Sequence, residues 1–345
     1  MGLNIREIVS REEISFHNLK GKTLCVDAFN TLYQFLSSIR QADGMPLQDE
    51  NGKITSHLSG IFYRNISLLV EGIKLVYVFD GEPPALKSKI HKKRGSVRDI
   101  AREKYENAKQ EEDQESMRKY SSQLIRLNDE IIIESKELLE ALGICVIQAP
   151  GEGEAQASYL SRKEGIYAVA SQDYDCLVFG AKRLIRNLTL SKKKKTVSGY
   201  VDVRPEEIIL KNFLGDLEIN QDQLISLAIL VGTDYNPKGV PRIGQKKGLE
   251  IVKKFKTPEK IFESLQDKID ALEGEDYFDW KEIFSLFRAP NVKDFEINFP
   301  QMDYDKIREI LVERHGFSEE RINNQLLKLD VLKKVQEQKA LDKWF

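Results

Sequence analysis

Leu24-Cys25-Val26-Asp27 and Val76-Tyr77-Val78-Phe79-Asp80 are built alike: a short run of apolar and β-branched residues that ends in an aspartate. Strands buried on both faces have this composition, since no solvent-facing side imposes an apolar–polar alternation. Residues 144–147 and 167–170 have the same character, so four strands are predicted, at 23–26, 75–79, 144–147 and 167–170. Between them Leu32, Phe35, Leu36 and Ile39, then Ile61, Phe62, Ile66, Leu69 and Val70, recur at helical spacing. Strand and helix in alternation predict an α/β fold, a mainly parallel central sheet flanked by helices and wound with right-handed crossovers.

From 83 to about 130 the chain turns polar, with too few apolar residues to anchor a core, until Ile131, Ile132, Ile133, Leu138, Leu139 and Leu142 restore packing. An insert projecting from the sheet is expected at 83–130, dividing the body into 1–82 and 131–327. A mostly helical region is expected after 203, and a charged tail at 328–345. The lysines of 192–195 are expected to cap a hairpin.

With 345 residues and 41% hydrophobic content the chain can bury a full core. No apolar run approaches the roughly 20 residues that span a bilayer, and the first residues lack a signal peptide's apolar stretch, so a globular, intracellular protein without a membrane partner is expected. Cys25, Cys145 and Cys176 have no metal-ligand spacing, and an odd count argues against a disulfide framework; buried thiols are expected. The formal net charge of -2 does not announce a polyanion partner. Its distribution does: nine Lys and Arg against three acids from Lys87 through Lys109, and six against one from Lys238 through Lys254. Such blocks neutralise phosphates locally while the rest of the molecule stays acidic.

Side chains at the carboxyl ends of parallel strands converge on one crevice, so Asp27 and Asp80 are expected to meet. Gly151-Glu152-Gly153-Glu154 follows the third strand and Ser171-Gln172-Asp173-Tyr174-Asp175 the fourth, while Asp234 follows the apolar run 224–231. Seven carboxylates in one crevice cannot all stay ionised unless cations offset them. Oxygen ligands alone favour a hard ion, Mg²⁺ or Mn²⁺, and His17, His57, His91 and His315 show no ligand spacing. Two such ions are a recurrent device for phosphodiester hydrolysis, which is the inferred chemistry.

Taken together, Val26-Asp27-Ala28, Val78-Phe79-Asp80-Gly81-Glu82-Pro83-Pro84, Ala149-Pro150-Gly151-Glu152-Gly153-Glu154-Ala155-Gln156-Ala157, Ser171-Gln172-Asp173-Tyr174-Asp175 and Gly232-Thr233-Asp234-Tyr235 resemble the flap endonuclease family, within the wider group of 5′ nucleases. The resemblance runs along almost the whole chain. It implies that Asp27, Asp80, Glu152 and Glu154 hold one Mg²⁺ and Asp173, Asp175 and Asp234 lie nearer a second, with Mn²⁺ able to substitute. It also implies that the insert is a helical arch for the 5′ flap, with Lys87 and Arg94 as catalytic cations. Seven residues apart, these two lie two turns along one helical face, so both can reach one phosphate. Tyr33 matches an aromatic that stacks on a base. Arg40, Gln48 and Thr55 match positions of a 3′-flap pocket.

The element at about 232–255, with Gly232, Gly239, Gly244, Lys246 and Lys247, resembles the family's helix-turn-helix for duplex DNA, and the resemblance implies a K⁺ ion there. Glycines let backbone N–H groups approach a phosphate, and lysines add charge without reading bases. The last residues, 338–345, resemble a sliding-clamp-binding peptide with Gln338, Leu341, Trp344 and Phe345 as its anchors. Gln172 and Phe29-Asn30-Thr31 depart from the family's commonest residues without removing a ligand. Because the tail stops at this peptide, an archaeal source is expected, and with it a cytoplasmic, nucleoid-associated location.

The expected protein is a monomeric Mg²⁺-dependent flap endonuclease with 5′–3′ exonuclease activity, acting on branched DNA in Okazaki fragment processing and long-patch base excision repair. The alternatives are another 5′ nuclease, such as a duplex exonuclease or a junction resolvase, and a non-catalytic DNA-binding adaptor for the clamp. The adaptor gives no reason for seven converging acids.

Overall fold

Among the described residues the chain forms nine strands and a series of helices: β1 (Glu12–Glu13), β2 (Thr23–Asp27), β3 (Lys74–Phe79), β4 (Cys145–Gln148), β5 (Ala168–Ala170), β6 (Arg183–Arg186), β7 (Lys193–Thr196), β8 (Gly199–Asp202) and β9 (Glu206–Ile209). This computed structural model describes residues 3, 5–41, 43–84, 86–111, 113–121, 124, 126–189, 193–196 and 199–341, with backbone alone at 88–99, 114, 118, 193–196, 199–202, 275 and 331–341. Seven strands form one sheet in the order β1-β9-β6-β5-β2-β3-β4. The four predicted strands are its centre and one flank: β2 pairs in parallel with β3 and β5, and β3 with β4. On the other flank β6 continues the parallel set, and β9 and β1 add antiparallel strands.

Alternation along these strands splits the core into two. Leu24, Val26, Leu75, Tyr77 and Phe79 face one cluster, and Cys25, Val76 and Val78 the other. The first cluster is covered by α1 (Ala28–Ser38), α2 (Ser56–Val70) and, beyond the insert, α5 (Asp129–Ala141). The second is covered by α6 (Gly153–Leu160), α7 (Asp175–Val178), α9 (Gln221–Val231) and α10 (Gln245–Phe255), α8 being Leu210–Leu217. Cys25, Cys145 and Cys176 are buried free thiols, as expected. β4 is an edge strand, a liability that sheets manage by covering. Here the segment 289–303 passes both of its ends: Gln156 donates to Lys293 O (2.8 Å) and accepts from Lys293 N (3.0 Å), and Asp303 N donates to Ala141 O (2.8 Å).

The insert carries α3 (Lys87–Gln110) and α4 (Gln114–Ser121). It is not free of apolar packing. Tyr105, Ala108 and Met117 form a small cluster with Met45, Tyr120 and Leu124, and Arg40 Nη1 donates to both Gly44 O and Ser121 Oγ at 2.8 Å. The far limb of the insert is therefore fastened to the loop after α1. The helix Glu319–Leu341 runs through the expected start of the tail at 328 without a break. The lysines 193–195 lie inside β7, paired with β8, rather than at the hairpin's turn.

Candidate metal centre and DNA interface

Asp27 ends β2 and caps α1, its Oδ1 accepting from Asn30 N (3.0 Å) and its Oδ2 from Ser171 Oγ (3.0 Å). Ladder register sets this contact: Val26 pairs with Ala170, so Asp27, still paired with Val78 on its other side, and Ser171 follow side by side. Asp80 follows β3, and its Oδ1 accepts from Gly153 N (2.7 Å). Glycine is required there: a Cβ on residue 153 would stand 2.6 Å from that oxygen. Glu152 caps the N-terminus of α6 and Glu154 lies in its first turn, where the helix dipole favours negative charge. Asp173 N donates to Ser171 Oγ (3.1 Å), and Asp173 Oδ1 accepts from Asp175 N (3.0 Å). One oxygen each from Glu154, Asp173 and Asp175 lie within 4.8 Å of one another. Glu154, which the resemblance groups with Asp27, Asp80 and Glu152, thus lies with Asp173 and Asp175, and the Asp27 carboxylate acts on it as well.

Packing these acids together raises their affinity for protons. Burial first, then the Asp80 carboxylate, push Asp27 up to about 7. Burial and then Asp173 raise Glu154, and burial followed by Asp173 and Asp234 raises Asp175, both well above the carboxylate range. Asp80 and Asp173 are raised as well, chiefly by burial. Through these mutual effects all the predicted acids belong to one electrostatic unit. An all-oxygen donor set, half-buried and short of positive charge, fits hard divalent cations.

The Lys87 ammonium ion-pairs with one oxygen of Glu152 and lies 5.6 Å from the centre of the Tyr235 ring, whose hydroxyl donates to the other oxygen. Burial lowers the Lys87 pKa, but Glu154 and Glu152 outweigh it and hold the group charged. Arg94 lies two turns further along α3, and its side chain is outside the described residues. Tyr33, on α1, is 43% exposed, leaving its ring free to stack. Arg40 is turned inward to the insert, with Nε and Nη2 buried and without acceptors among the described residues. Gln48 bridges Ile54 in a small hairpin, and Thr55 is buried at the start of α2.

The second basic block forms a helix-turn-helix whose first helix, α9, precedes the range expected from sequence. Gly232 (φ 115°) ends α9, Asn236 Nδ2 donates to Ile229 O (2.8 Å), and Gly239 (φ 58°) turns the chain back against Leu230 and Val231. Gly244 is the N-cap of α10 with open space beside it, and Lys246 and Lys247 are exposed in the first turn. The N-terminus of α10 thus presents N–H groups without a side-chain cap, next to two lysines. Trp344 and Phe345, and the side chains of Gln338 and Leu341, lie outside the described residues.

Several contacts escaped the sequence reading. Ser171 and Tyr235 stand in the quoted motifs, but nothing in their spacing says that they hold Asp27 and Glu152. The two departures from the family pattern meet each other: Gln172 N donates to Asn30 Oδ1 (3.2 Å).

A model of the XPG N-terminal domain matches residues 3–101, and one of the XPG I-region matches 143–234. Both fall on the acid-bearing strand ends, leaving most of the insert between them, and together with the fold they define a nuclease of the XPG class. Flap endonuclease 1 of Pyrococcus furiosus is 47% identical, over 100% of this chain and 99% of its own length; that of Sulfolobus acidocaldarius is 45% identical over 99% and 100%. The structure of flap endonuclease-1 from Methanococcus jannaschii superposes with a TM-score of 0.73 at 38% identity, covering 95% of this chain and 98% of that one. The catalytic core of Rad2 in complex with DNA substrate reaches 0.69 at 23% identity, with 95% and 100% covered, a likeness of fold alone. The chain belongs to the flap endonuclease family.

Proposed function

We propose that the protein is a structure-specific flap endonuclease that hydrolyses the phosphodiester at the base of 5′ flaps, with an associated 5′–3′ exonuclease activity, in Okazaki fragment processing and long-patch base excision repair. The observation that carries this reading is the convergence of buried and half-buried carboxylates at the carboxyl ends of β2, β3, β4 and β5, with Lys87 set against them. Asp27, Asp80, Glu152, Glu154, Asp173, Asp175 and Asp234 would hold two Mg²⁺ ions, Mn²⁺ being able to substitute. Bound there, the cations supply Lewis-acid stabilisation to the attacking and leaving oxygens of an in-line displacement.

The chain's own part is to position and to neutralise. Lys87, held over the cluster by Glu152 and Tyr235, is placed to meet a phosphate entering the crevice, and Arg94 follows on the same face of α3. The exposed ring of Tyr33 offers a stacking surface beside Asp27. Duplex DNA is gripped at the N-terminus of α10 by N–H groups, Lys246 and Lys247, contacts that register a backbone and not a sequence. Branch shape is then what the enzyme reads. Residues 338–345 serve as a tether to the sliding clamp.

The test is cleavage of a labelled double-flap DNA by the protein and by Asp175→Ala, with Mg²⁺ and with chelator. The expected result is Mg²⁺-dependent cutting near the flap base that the variant loses while still binding DNA. Binding without cutting under every divalent ion points to a non-catalytic adaptor. Preferential cutting of a four-way junction or of a blunt duplex end moves the protein elsewhere among the 5′ nucleases.

A further inference from the structure

Tyr174 stands between Asp173 and Asp175, and its side chain points away from the cluster into the second core, 5% exposed. There it meets Arg186, the last residue of β6. Arg186 Nη1 donates to the Tyr174 hydroxyl at 2.5 Å, and the guanidinium carbon lies 4.4 Å from the ring centre. Behind Arg186 stands Glu206, its partner across the antiparallel β6–β9 ladder, with Oε2 3.5 Å from the same Nη1. Glu206 Oε1 is in turn 3.7 Å from Arg11 Nε. A chain of charged and aromatic groups thus runs from the sheet's antiparallel flank to the loop that carries two of the seven acids.

A core tyrosine needs only packing and one hydrogen-bond partner. This one is gripped from its face and from its hydroxyl by a cation that is itself largely buried, and Arg186 Nε has no acceptor among the described residues. Keeping a buried guanidinium with an unmade hydrogen bond opposes folding, and an apolar pair would fill the same space at less cost. Other contacts fix the rest of this segment: Gln172 N donates to Asn30 Oδ1 (3.2 Å), and Asp175 opens α7. Asp173 and Asp175 are held by Ser171 and by a turn within the loop, and across the chain by Leu3 N, 3.3 Å from Asp175 Oδ1.

We propose that Arg186 and Tyr174 are a positioning pair: by fixing the ring from both sides they set the direction in which the Asp173 and Asp175 carboxylates face a divalent cation. The inference rests on reading the acid cluster as a cation site. Groups hydrogen-bonded directly to metal ligands commonly alter metal affinity by roughly 10- to 100-fold when lost, and a pair that acts through the backbone of the neighbouring residue belongs at the low end of that range.

The test is calorimetric titration of the whole, DNA-free protein with Mn²⁺, alongside its thermal unfolding. Arg186→Met is expected to weaken Mn²⁺ binding about tenfold, Tyr174→Phe to weaken it less, and Arg186→Lys, which keeps the charge and one donor, to recover part of the loss. Mn²⁺ affinity within twofold of the parent in a folded Arg186→Met protein overturns the proposal, whatever happens to its melting temperature. Should Arg186→Met not fold, Tyr174→Phe, which removes a single oxygen, decides in the same way. If the parent protein itself takes up no Mn²⁺, the cation reading of the cluster fails and the positioning role falls with it; a parent that binds beside variants that bind equally well sinks the positioning role alone.

Discussion

The Lys87 ammonium, in the first turn of α3, is ion-paired with the carboxylate of Glu152, the residue at the N-cap position of α6. The insert is thereby joined at its base to the acid cluster, and a cation is held beside the position a phosphate would take. Removing it has two separable effects. Lys87→Ala should slow single-turnover flap cleavage roughly 100- to 1,000-fold, the range for losing one charge-stabilising donor, with DNA affinity changed by no more than a few-fold. In chelator it should also melt earlier than the parent, since Glu152 loses its counter-charge inside a group of like charges. Cleavage at the parental rate would leave Lys87 a purely structural cation.

The raised carboxyl pKa values give the cluster a definite pH signature. Asp27, ordinarily near 3.8, titrates at about 7 in the folded protein, and Asp80, Glu154, Asp173 and Asp175 shift in the same direction. Between those limits the folded state holds more protons than the unfolded one, so this contribution to stability is fully present below the unfolded pKa and is lost as pH rises through the folded one. In chelator, the melting temperature should fall by on the order of a few degrees or more between pH 5 and 8. Saturating Mg²⁺ should restore it at pH 8 and do little at pH 5. A chelated protein equally stable at both pH values would mean that the acids do not repel one another as their packing requires.

How much of this was legible in the sequence follows from where the apolar residues lie. β2 and β3 are paired on both sides within the sheet, and their unbroken apolar runs declare it. β6, Arg183-Leu184-Ile185-Arg186, has two apolar residues between charges, and β9 opens with Glu206-Glu207. Their pairing is partly ionic, Arg183 to Glu207 at 3.2 Å and Arg186 to Glu206 at 3.5 Å, and no hydropathy pattern records it. The acids were legible because most of them end a strand or open a helix, and Asp173 and Asp234 stand in short turns just after one. Their supports were not: Tyr235 reaches Glu152 from another motif, and the insert's small core needs Met45 from the loop after α1. Histidines without ligand spacing were set aside, yet two of them meet in the interior.

That meeting joins four segments. His315 Nδ1 is 2.8 Å from Asp49 Oδ2 and its Nε2 is 3.0 Å from Glu134 Oε1, while His57, fully buried on α2, has Nε2 3.7 Å from Glu134 Oε2. Glu130, paired with Lys53 at 2.6 Å, completes the charged surroundings. Burial holds the His57 pKa below its usual value; the hydrogen bond with His315 holds Asp49 below its own, and the approach of His57 and His315 does the same for Glu134. All three shifts make the unfolded state the better proton acceptor, so their stabilisation is present at neutral pH and is lost on acidification, from about 6.5 downward for His57. The sign is opposite to that of the acid cluster. Measured in saturating Mg²⁺, which offsets the acids, melting temperature should fall below about pH 6, and His57→Leu should flatten that fall. An unchanged acid slope in His57→Leu would assign the sensitivity elsewhere.

The grip on duplex DNA divides between side-chain charge and backbone, and salt separates the two. If Lys246 and Lys247 each neutralise a phosphate, the double variant Lys246→Ala/Lys247→Ala should bind flap DNA more weakly on every sequence, and its slope of log affinity against log salt should be shallower by about 2, near 0.9 per lost contact. Single-turnover cleavage at saturating enzyme should not change, because neither lysine has a contact with the acid cluster. Gly239→Ala acts differently: its φ is 58°, and a Cβ would lie 2.5 Å from Leu230 O, so the turn itself must move. That variant should lose affinity with little change in salt slope, since the misplaced N–H groups at Gly244 carry no counterion-releasing charge. If the lysine variant keeps the parental slope while Gly239→Ala loses binding, the lysines do not touch the backbone, and the α10 N-terminus holds the phosphate alone.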